Sequence, residues 1–352
     1  MSRLAKSKVE DKQIFHYEAP WPIYAMDWSN KEFNGHRLAL GSFLEDSENK
    51  LQIITRTGKQ YATRNQPDFA VLAETDCYYP ITKVLWTPVK ERRENDLIVT
   101  SSDQLRVYEL IDTNRGHSIV KQNDFCAPIT SFDWNKMDTS LVVTSSIDTT
   151  CTIWNIETGQ ATTQLIAHDR DVYDVAFTHH SPDMFASVGA DGTIRLFDLR
   201  ALENSTIVYE SPPIHKQKFA SAISNGCQPL LRIEFNHCNP NLLATFPMDS
   251  DSLKILDIRY PSMPVIELEH KSIVNCFNWA PNNPDKIVSG GDDQQIQIWD
   301  TFQEDPTKGT IHINKPCASY STPEEIHCVR WNTVIPNWIA IGFGRTIQTI
   351  HV

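Results

Sequence analysis

Seven short apolar runs, each closed by a tryptophan or phenylalanine, recur along the chain. Successive closing aromatics lie 43 to 58 residues apart. Self-similarity at a period of this size indicates a repeat array, so the pattern predicts seven copies of one structural unit. The runs are YAMDW, TKVLW, TSFDW, YDVAF, LRIEF, NCFNW and HCVRW, which end at Trp28, Trp86, Trp134, Phe177, Phe235, Trp279 and Trp331.

Two further apolar runs follow in each unit. The first ends in small residues, as in KIVSGG (286–291), and a tight turn that usually carries Asp leads into the second, as in CTIWNI (151–156) and IQIWDT (296–301). Runs rich in β-branched and aromatic residues and bounded by turn formers are typical of strands. Each unit is therefore predicted to hold three clear strands and a fainter fourth.

One position in the third strand carries a recurring dipeptide, seen in Phe197-Asp198, Leu256-Asp257 and Trp299-Asp300. This resembles the WD-repeat family, whose blades are four-stranded sheets arranged radially as a β-propeller. The resemblance implies an all-β protein, a seven-bladed WD-repeat β-propeller. Packing each sheet between two neighbours buries faces that a single sheet leaves exposed.

Closure of the ring needs one more strand. An open array leaves sheet edges exposed, and no fourth strand follows the last run, IQTIHV (347–352). Because QIFHYE (13–18) alternates apolar with polar residues, we predict that it pairs into the last blade. The expected organisation is a flexible tail over 1–12 and a single propeller over 13–352. Insertions are expected near 56–78, with an outer strand around FAVLA, and near 212–229.

Polar residues also recur once per blade, with the spacing of a His–Ser–Asp–Trp network that the WD family uses. They could be mistaken for a hydrolase triad, but catalysis does not require one copy per blade, and buried polar groups must be hydrogen-bonded. We therefore interpret them as structural. In blade 4 the residues are His168, Ser187 and Asp191, and Phe197 lacks the indole donor. In blade 6 they are His270, Ser289, Asp293 and Trp299. In blade 3 they are Thr144, Asp148 and Trp154, without a histidine.

The net charge and the cysteine pattern argue against several classes of function. The net charge is −12, which repels a phosphate backbone, so we expect no direct nucleic-acid binding. The eight cysteines are scattered without a CxxC pair, as in reduced proteins of the cytoplasm and nucleus. No apolar run reaches the roughly eighteen residues of a membrane span, and the N-terminus lacks a signal-peptide core.

Longer stretches are similar to one branch of the WD-repeat proteins. They include YEAPWPIYAMDW (17–28), SSIDTTCTIWNIETG (145–159) and DMFASVGADGTIRLFDLR (183–200), and the match extends over nearly the whole chain. This branch is the anthocyanin-regulatory family, which includes plant TRANSPARENT TESTA GLABRA proteins and the animal cullin-associated factor that binds DYRK-type kinases. The resemblance implies a non-catalytic scaffold without cofactor, a monomeric propeller that assembles DYRK-type kinases or Myb and basic helix-loop-helix regulators.

The same resemblance leaves a second role open, as substrate receptor of a cullin–RING ubiquitin ligase. Arg200 in FDLR and Arg259 in LDIR resemble the aspartate-x-arginine ending of WD repeats that dock on the ligase adaptor. An arginine at this point could equally make a salt bridge within its own blade.

Partner contacts are expected where the first strands open onto the narrower face. Tyr24 and Tyr173 are the preferred anchors, since binding energy concentrates in a few aromatic or arginine side chains. Ordinary strand tyrosines are the equal alternative. The candidates are Tyr24, Thr130, Ile147, Asp171, Tyr173, Ala190, Asn275 and His327.

An enzyme is the rival class. Asp171, Glu325 and His327 could approach the channel mouth, but no motif fixes their relation. The pairs at 179–180 and 237–238 (His-His and His-Cys) lack partners at metal-ligand spacing. We therefore expect neither catalysis nor a metal site.

Overall fold

A computed structural model describes most of the chain: residues 13–31, 36–45, 48–57, 67–88, 96–113, 116–126, 129–213, 227–302 and 309–352. The predicted tail (1–12) lies outside the described residues, as do 58–66 and 214–226 of the two predicted insertions.

The described residues form seven sheets. In six sheets the strands are hydrogen-bonded in chain order, and in the seventh β1 (Ile14–Glu18) joins after the last strand of the chain. The first strands of neighbouring sheets contact one another in a closed ring. After β1, the first sheet comprises β2 (Ile23–Trp28), β3 (Arg37–Ser42), β4 (Asn49–Arg56) and β5 (Phe69–Cys77). The second sheet comprises β6 (Lys83–Trp86), β7 (Asp96–Ser101), β8 (Gln104–Thr113) and β9 (Gly116–Cys126). The third comprises β10 (Ser131–Trp134), β11 (Leu141–Ser145), β12 (Thr150–Asn155) and β13 (Gln160–Ile166), and the fourth comprises β14 (Val172–Phe177), β15 (Met184–Gly189), β16 (Thr193–Asp198) and β17 (Ser205–Glu210). The fifth comprises β18 (Leu230–Phe235), β19 (Leu242–Pro247), β20 (Ser252–Asp257) and β21 (Ile266–Glu269); the sixth, β22 (Val274–Trp279), β23 (Lys286–Gly291), β24 (Gln295–Asp300) and, after β25 (Ile311–Ile313), β26 (Ala318–Ser321); the seventh, β27 (Cys328–Trp331), β28 (Trp338–Phe343) and β29 (Thr346–His351).

The predicted seven-bladed β-propeller is confirmed. Each sheet is one blade, and its strands pair antiparallel, as between β14 and β15 and between β15 and β16. The outer strand expected around FAVLA is β5.

The predicted N-terminal closure is also confirmed. β1 pairs antiparallel with β29, from Ile14 opposite Ile350 to Glu18 opposite Thr346, and so supplies the fourth strand of blade 7. Phe15 of β1 is 5% exposed, and its ring centroid lies 5.3 Å from that of Trp338 on β28. The two ends of the described chain therefore hold each other.

One strand was not predicted. β25 lies within the connection between the third and fourth strands of blade 6, but it pairs with β21, the outer strand of blade 5. The pairing is parallel and makes blade 5 a five-stranded sheet.

The core lies between the blades. Trp279 and Trp299 of blade 6 pack in one buried cluster with Phe246 and Ile255 of blade 5, and corresponding clusters join other neighbouring blades. All seven closing aromatics are buried. They recur because each fills the space between its own sheet and an adjacent one.

Candidate interaction surfaces

The propeller has two faces with different loops. We call the face where the first strands begin the upper face. The turns between second and third strands lie there too, because Val172 N–H donates to Ser146 O (3.0 Å) and Val274 N–H to Ser250 O (2.9 Å). The opposite, lower face carries the loops that follow first and third strands.

Four of the eight predicted contact residues line the central channel, a cavity of about 210 Å³: Tyr24, Thr130, Asn275 and His327. The Tyr24 hydroxyl accepts a hydrogen bond from Arg232 Nη2 across the channel (3.4 Å). Asn275 Nδ2 donates to Asp292 Oδ1 (2.7 Å) and to Ile326 O (3.1 Å), which fixes its amide within the wall.

The other four lie outside the channel lining. Ile147 is 56% exposed in a turn of the upper face, whereas Ala190 is buried and so offers a partner almost no surface. Ala190 N–H donates to Asp171 O (2.8 Å), which ties that turn to the start of the first strand of its own blade. Burial, with the nearby Asp171 carboxylate, raises the pKa of Tyr173. The structure therefore does not join Tyr173 and Tyr24 in one site, and of the three residues considered for catalysis only His327 reaches the channel.

The upper face also carries exposed aromatics that the sequence analysis missed. Tyr78 and Tyr79 are 76% and 48% exposed, and their ring centroids are 5.7 Å apart. Phe43 is 40% exposed and lies 4.8 Å from Tyr24 between ring centroids. A hydrogen bond from Ile81 N–H to Ser42 O joins the two loops (3.1 Å). We call Tyr24, Phe43, Tyr78 and Tyr79 the aromatic patch. Of its tyrosines, Tyr24 was predicted as an anchor, whereas Tyr78 and Tyr79 were missed because they lie at the edge of the region assigned to an insertion (56–78).

Acidic and amide side chains inside the channel connect neighbouring blades. Each stands one residue before a closing aromatic and accepts the backbone N–H of the next blade's aromatic. The pairs are Asp27 Oδ2 with Trp86 (2.9 Å), Asp133 Oδ2 with Phe177 (2.7 Å), Glu234 Oε2 with Trp279 (3.3 Å) and Asn278 Oδ1 with Trp331 (2.6 Å). This ring was missed, although a polar residue before the aromatic is visible in YAMDW, TSFDW, LRIEF and NCFNW. Its carboxylates have a structural use, which argues against reading them as catalytic acids.

Burial shapes the electrostatics of that ring. It raises the pKa of Asp27 to about 6, although the Arg330 charge and the Trp86 N–H act in the opposite direction. Burial also acts to raise the pKa of Glu234, but the hydrogen bond to His237 and the charges of Arg330 and Lys136 outweigh it and lower the pKa. The pKa values of two carboxylates in similar positions are thus shifted in opposite directions.

The polar network of blade 4 lies between strands and a loop. His168 Nε2 lies 2.7 Å from Ser187 Oγ, and its Nδ1 lies 2.9 Å from Asp191 Oδ1. The Thr193 hydroxyl donates to Asp191 Oδ1 (2.9 Å), which orients the carboxylate. Phe197 adds no hydrogen bond and instead stacks on Phe185, with ring centroids 4.8 Å apart.

In blade 6 the network is incomplete. Trp299 Nε1 donates to Ser289 Oγ (2.7 Å), and His270 Nε2 lies 2.6 Å from the same oxygen. The expected hydrogen bond between His270 and Asp293 is absent, since Nδ1 and Oδ2 are 3.9 Å apart. Gln295 stands where blade 4 has Thr193, so no hydroxyl orients the carboxylate. Burial lowers the pKa of His270 to about 4.

Blade 3 keeps only the tryptophan half of the network. Trp154 Nε1 donates to Thr144 Oγ1 (2.9 Å). Asp148 instead accepts hydrogen bonds from the N–H (3.0 Å) and hydroxyl (2.6 Å) of Thr150, and so holds its turn.

Arg200 and Arg259 follow the third strands of adjacent blades and lie on the lower face. Their side chains are 67% and 53% exposed. Each guanidinium makes a two-point contact with the aspartate two residues earlier: Arg200 with Asp198 (2.9 and 2.7 Å) and Arg259 with Asp257 (2.9 and 2.6 Å). The intrablade salt bridge is therefore formed in both blades, and it orients each guanidinium; that of Arg259 lies 5.7 Å from the ring centroid of exposed Tyr260.

Within the described residues, no cluster of three or more His, Cys, Asp or Glu side chains is arranged to hold a metal ion. His179 and His237 stack at 4.3 Å in the lower channel mouth, and Lys136 Nζ lies within 3.5 Å of a ring nitrogen of each. The Lys136 side-chain nitrogen thus lies where the two imidazole rings converge. The described part of the chain also contains no helix with the length and hydropathy that a membrane crossing requires.

Seven radially arranged antiparallel blades, in two of which a tryptophan indole donates a hydrogen bond to a serine or threonine hydroxyl, define a WD-repeat β-propeller. In agreement, residues 159–198 and 263–300 match the family described as WD domain, G-beta repeat.

Relatives that match most of the chain identify the group of WD-repeat proteins to which it belongs. The chain is 43% identical over 350 residues to the DDB1- and CUL4-associated factor 7 homolog of Dictyostelium discoideum, covering 98% of this chain and 100% of that protein. It is 37% identical to an uncharacterized WD repeat-containing protein of Schizosaccharomyces pombe, over 83% of this chain and 70% of that protein. It is also 37% identical to a WD repeat-containing protein of Saccharomyces cerevisiae, over 96% and 77% of the two chains. The chain therefore belongs to the WD-repeat family of the DDB1- and CUL4-associated factor 7 homolog.

Proposed function

We propose that this protein is a non-catalytic scaffold that binds a DYRK-type kinase through its upper face and holds it in a complex with other proteins. Myb and basic helix-loop-helix regulators, which the plant resemblance implies, are the second class of partner. The observation that carries the proposal is the aromatic patch. Tyrosine and phenylalanine are enriched in protein interfaces, and contiguous exposed apolar surface marks interaction sites.

A rigid frame supports this use of the patch. Tyr24 stands on a first strand, and Phe43 lies on the turn bonded to the loop that carries Tyr78 and Tyr79. Aromatic side chains held in place by a scaffold lose little conformational entropy when a partner binds. The patch can therefore act as an anchor.

Binding of a purified DYRK-type kinase, measured by isothermal titration calorimetry, tests the proposal. We expect Tyr78→Ser/Tyr79→Ser to weaken binding at least about tenfold, as at an interface hot spot. The matched control is Arg200→Ala/Arg259→Ala on the lower face, which should bind normally. Tyr24→Ala and Tyr173→Ala, measured separately, show which tyrosine contributes. Unchanged affinity in every upper-face variant would reject this face.

A second candidate function, substrate receptor of a cullin–RING ubiquitin ligase, is favoured by the two lower-face arginines. The Dictyostelium relative is named as a DDB1- and CUL4-associated factor. Arg200 and Arg259 lie on adjacent blades, and each keeps more than half of its side chain exposed while an aspartate orients it. Pre-oriented arginines bind planar polar groups with a smaller entropy cost than free ones.

Co-purification with the DDB1 adaptor tests this role. Arg200→Ala/Arg259→Ala should abolish recovery of the adaptor, while Tyr78→Ser/Tyr79→Ser should not. Lys286→Ala is the matched control, because Lys286 also pairs with an exposed aspartate, Asp300 (3.2 Å), on the neighbouring blade. Full recovery with the double arginine variant would reject the arginines as the docking site.

A further inference from the structure

The outer edge of blade 5 is covered by a strand that belongs to the connection in blade 6. β25 is three residues long, and it pairs with β21 in the register Ile266–Ile311, Glu267–His312 and Leu268–Ile313. Among the described sheets, this is the one parallel pairing; the remaining strand pairs are antiparallel. β25 is thus an addition to a complete four-stranded blade.

β25 is held by its three-residue ladder with β21 and, among the described residues, by two further hydrogen bonds beside that ladder. Ile311 N–H donates to Val265 O (2.9 Å), and the Thr310 hydroxyl donates to Pro264 O (2.6 Å). Ile311 is 40% exposed, while Ile313 is partly buried against the core between blades 5 and 6. The strand it covers is firmly seated, because Ile266 and Leu268 are buried. Removing β25 would leave the four antiparallel strands of the blade intact.

The edge has a charge that β25 does not match fully. His312 Nδ1 lies 3.5 Å from Glu267 Oε2 and 3.3 Å from Glu269 Oε1. Glu267 also contacts Lys254 on β20 (2.5 Å). Within the described residues, these two carboxylates contact one permanent cation and one histidine, and histidine, unlike lysine or arginine, is not permanently charged at neutral pH. A lysine or arginine in place of His312 would complement this edge better.

We propose that the outer edge of blade 5 is a strand-addition site for a partner protein, which β25 occupies in the free protein. The partner segment is extended and carries a lysine or arginine between two β-branched apolar residues. It pairs parallel to β21, places its cation between Glu267 and Glu269, and replaces β25. In strand addition the main-chain hydrogen bonds supply affinity and the alternating side chains supply specificity.

Fluorescence anisotropy with a labelled peptide of residues 309–315 carrying His312→Arg tests this site directly. Wild-type protein should bind the peptide weakly, since its own β25 competes. The variant Ile311→Gly/Ile313→Gly weakens β25 and should bind the peptide at least tenfold more tightly. Equal affinity for the two proteins would overturn the proposal.

Charge controls separate this site from unspecific peptide binding. In the weakened-strand protein, Glu267→Gln/Glu269→Gln should reduce peptide affinity about tenfold, and so should a peptide carrying His312→Ala. No response to either change would overturn the charge match. A concentration-dependent dimer of the weakened-strand protein, without peptide binding, would assign the edge to a second copy of the chain and also reject the proposal.

Hydrogen exchange on the wild-type protein keeps the test independent of variant folding. The Ile311 amide should exchange faster than the amides of β20 and β21, and excess peptide should accelerate it further while β21 remains protected. Equal, peptide-insensitive protection of β21 and β25 would show that β25 does not yield its place.

Discussion

At the scale of single residues, one serine hydroxyl of blade 6 serves two large buried side chains. Ser289 is fully buried and accepts the indole N–H of Trp299, while His270 Nε2 contacts the same oxygen. A buried polar group that loses its partner costs about 1–3 kcal/mol. The network therefore contributes to stability through that serine and has no exposed nucleophile to offer.

Ser289→Ala should lower the free energy of unfolding by about 2–3 kcal/mol, because it leaves both the indole and the imidazole without a partner. Ser187→Ala is the matched control in blade 4, where Phe197 has no N–H to lose. It should cost less, about 1–2 kcal/mol. Urea denaturation of both variants measures the difference. Equal losses would contradict a two-partner role for Ser289.

The contributions of Asp27 and Glu234 to stability should change in opposite directions with pH. The folded-state pKa of Asp27 is about 6, above its unfolded value, so the folded state binds the proton more tightly. Its contribution to stability therefore falls as pH rises from about 4 to 6. The pKa of Glu234 is lowered, so its contribution is present above its unfolded value of about 4.5 and lost as pH falls through the folded pKa.

Asp27→Asn should gain stability relative to wild type as pH rises from 4 to 6 and then stay constant. Asparagine can keep the hydrogen bond, as Asn278 does with Trp331 in the same ring. Glu234→Gln should instead lose stability relative to wild type as pH rises toward about 4.5. Chemical denaturation across pH 3.5–7.5 measures both. Curves of the same sign would refute the opposite shifts.

At the scale of elements, the N-terminal strand closes the ring. β1 contributes a five-residue ladder to blade 7 and buries Phe15 beside Trp338. Deleting residues 1–18 should lower the melting temperature by roughly 5–10 °C, since several kcal/mol of ladder and aromatic burial are lost. Deleting only 1–12 is the control and should leave the transition unchanged. Differential scanning calorimetry compares them, and identical transitions for both deletions would show that β1 does not close the propeller.

The elements differ in how well the sequence predicts them. First, second and third strands repeat with a closing aromatic or a turn aspartate, so their number and order follow from the pattern. β1 was predictable because closure demands a strand and QIFHYE alternates. β25 was not, since three residues are too few for a periodic signal and its partner, β21, is 42 residues or more away along the chain. Its position depends on the tertiary structure.

Site residues show the same limit. The networks were predictable because their residues repeat with the blades, but the missing His270–Asp293 bond depends on whether a threonine or a glutamine stands two residues after the aspartate. The aromatic patch joins Tyr24 with residues of two other loops, which no local pattern brings together. The loops between the repeated strands determine which surface of the propeller binds a partner, and loops vary in sequence and length.

At the scale of the whole molecule, the two candidate surfaces lie on opposite faces. The aromatic patch is on the upper face, and Arg200 and Arg259 are on the lower face. A closed ring of packed blades separates them, so occupation of one face leaves the other accessible. This geometry suits a scaffold, which must hold two proteins together without either displacing the other.

Mass photometry of the protein with a DYRK-type kinase and the DDB1 adaptor, singly and together, tests the scaffold account most directly. The account predicts a particle with the summed mass of all three chains. Tyr78→Ser/Tyr79→Ser should remove only the kinase from it, and Arg200→Ala/Arg259→Ala only the adaptor. Mutually exclusive binding of the two partners, or loss of both from either variant, would contradict it.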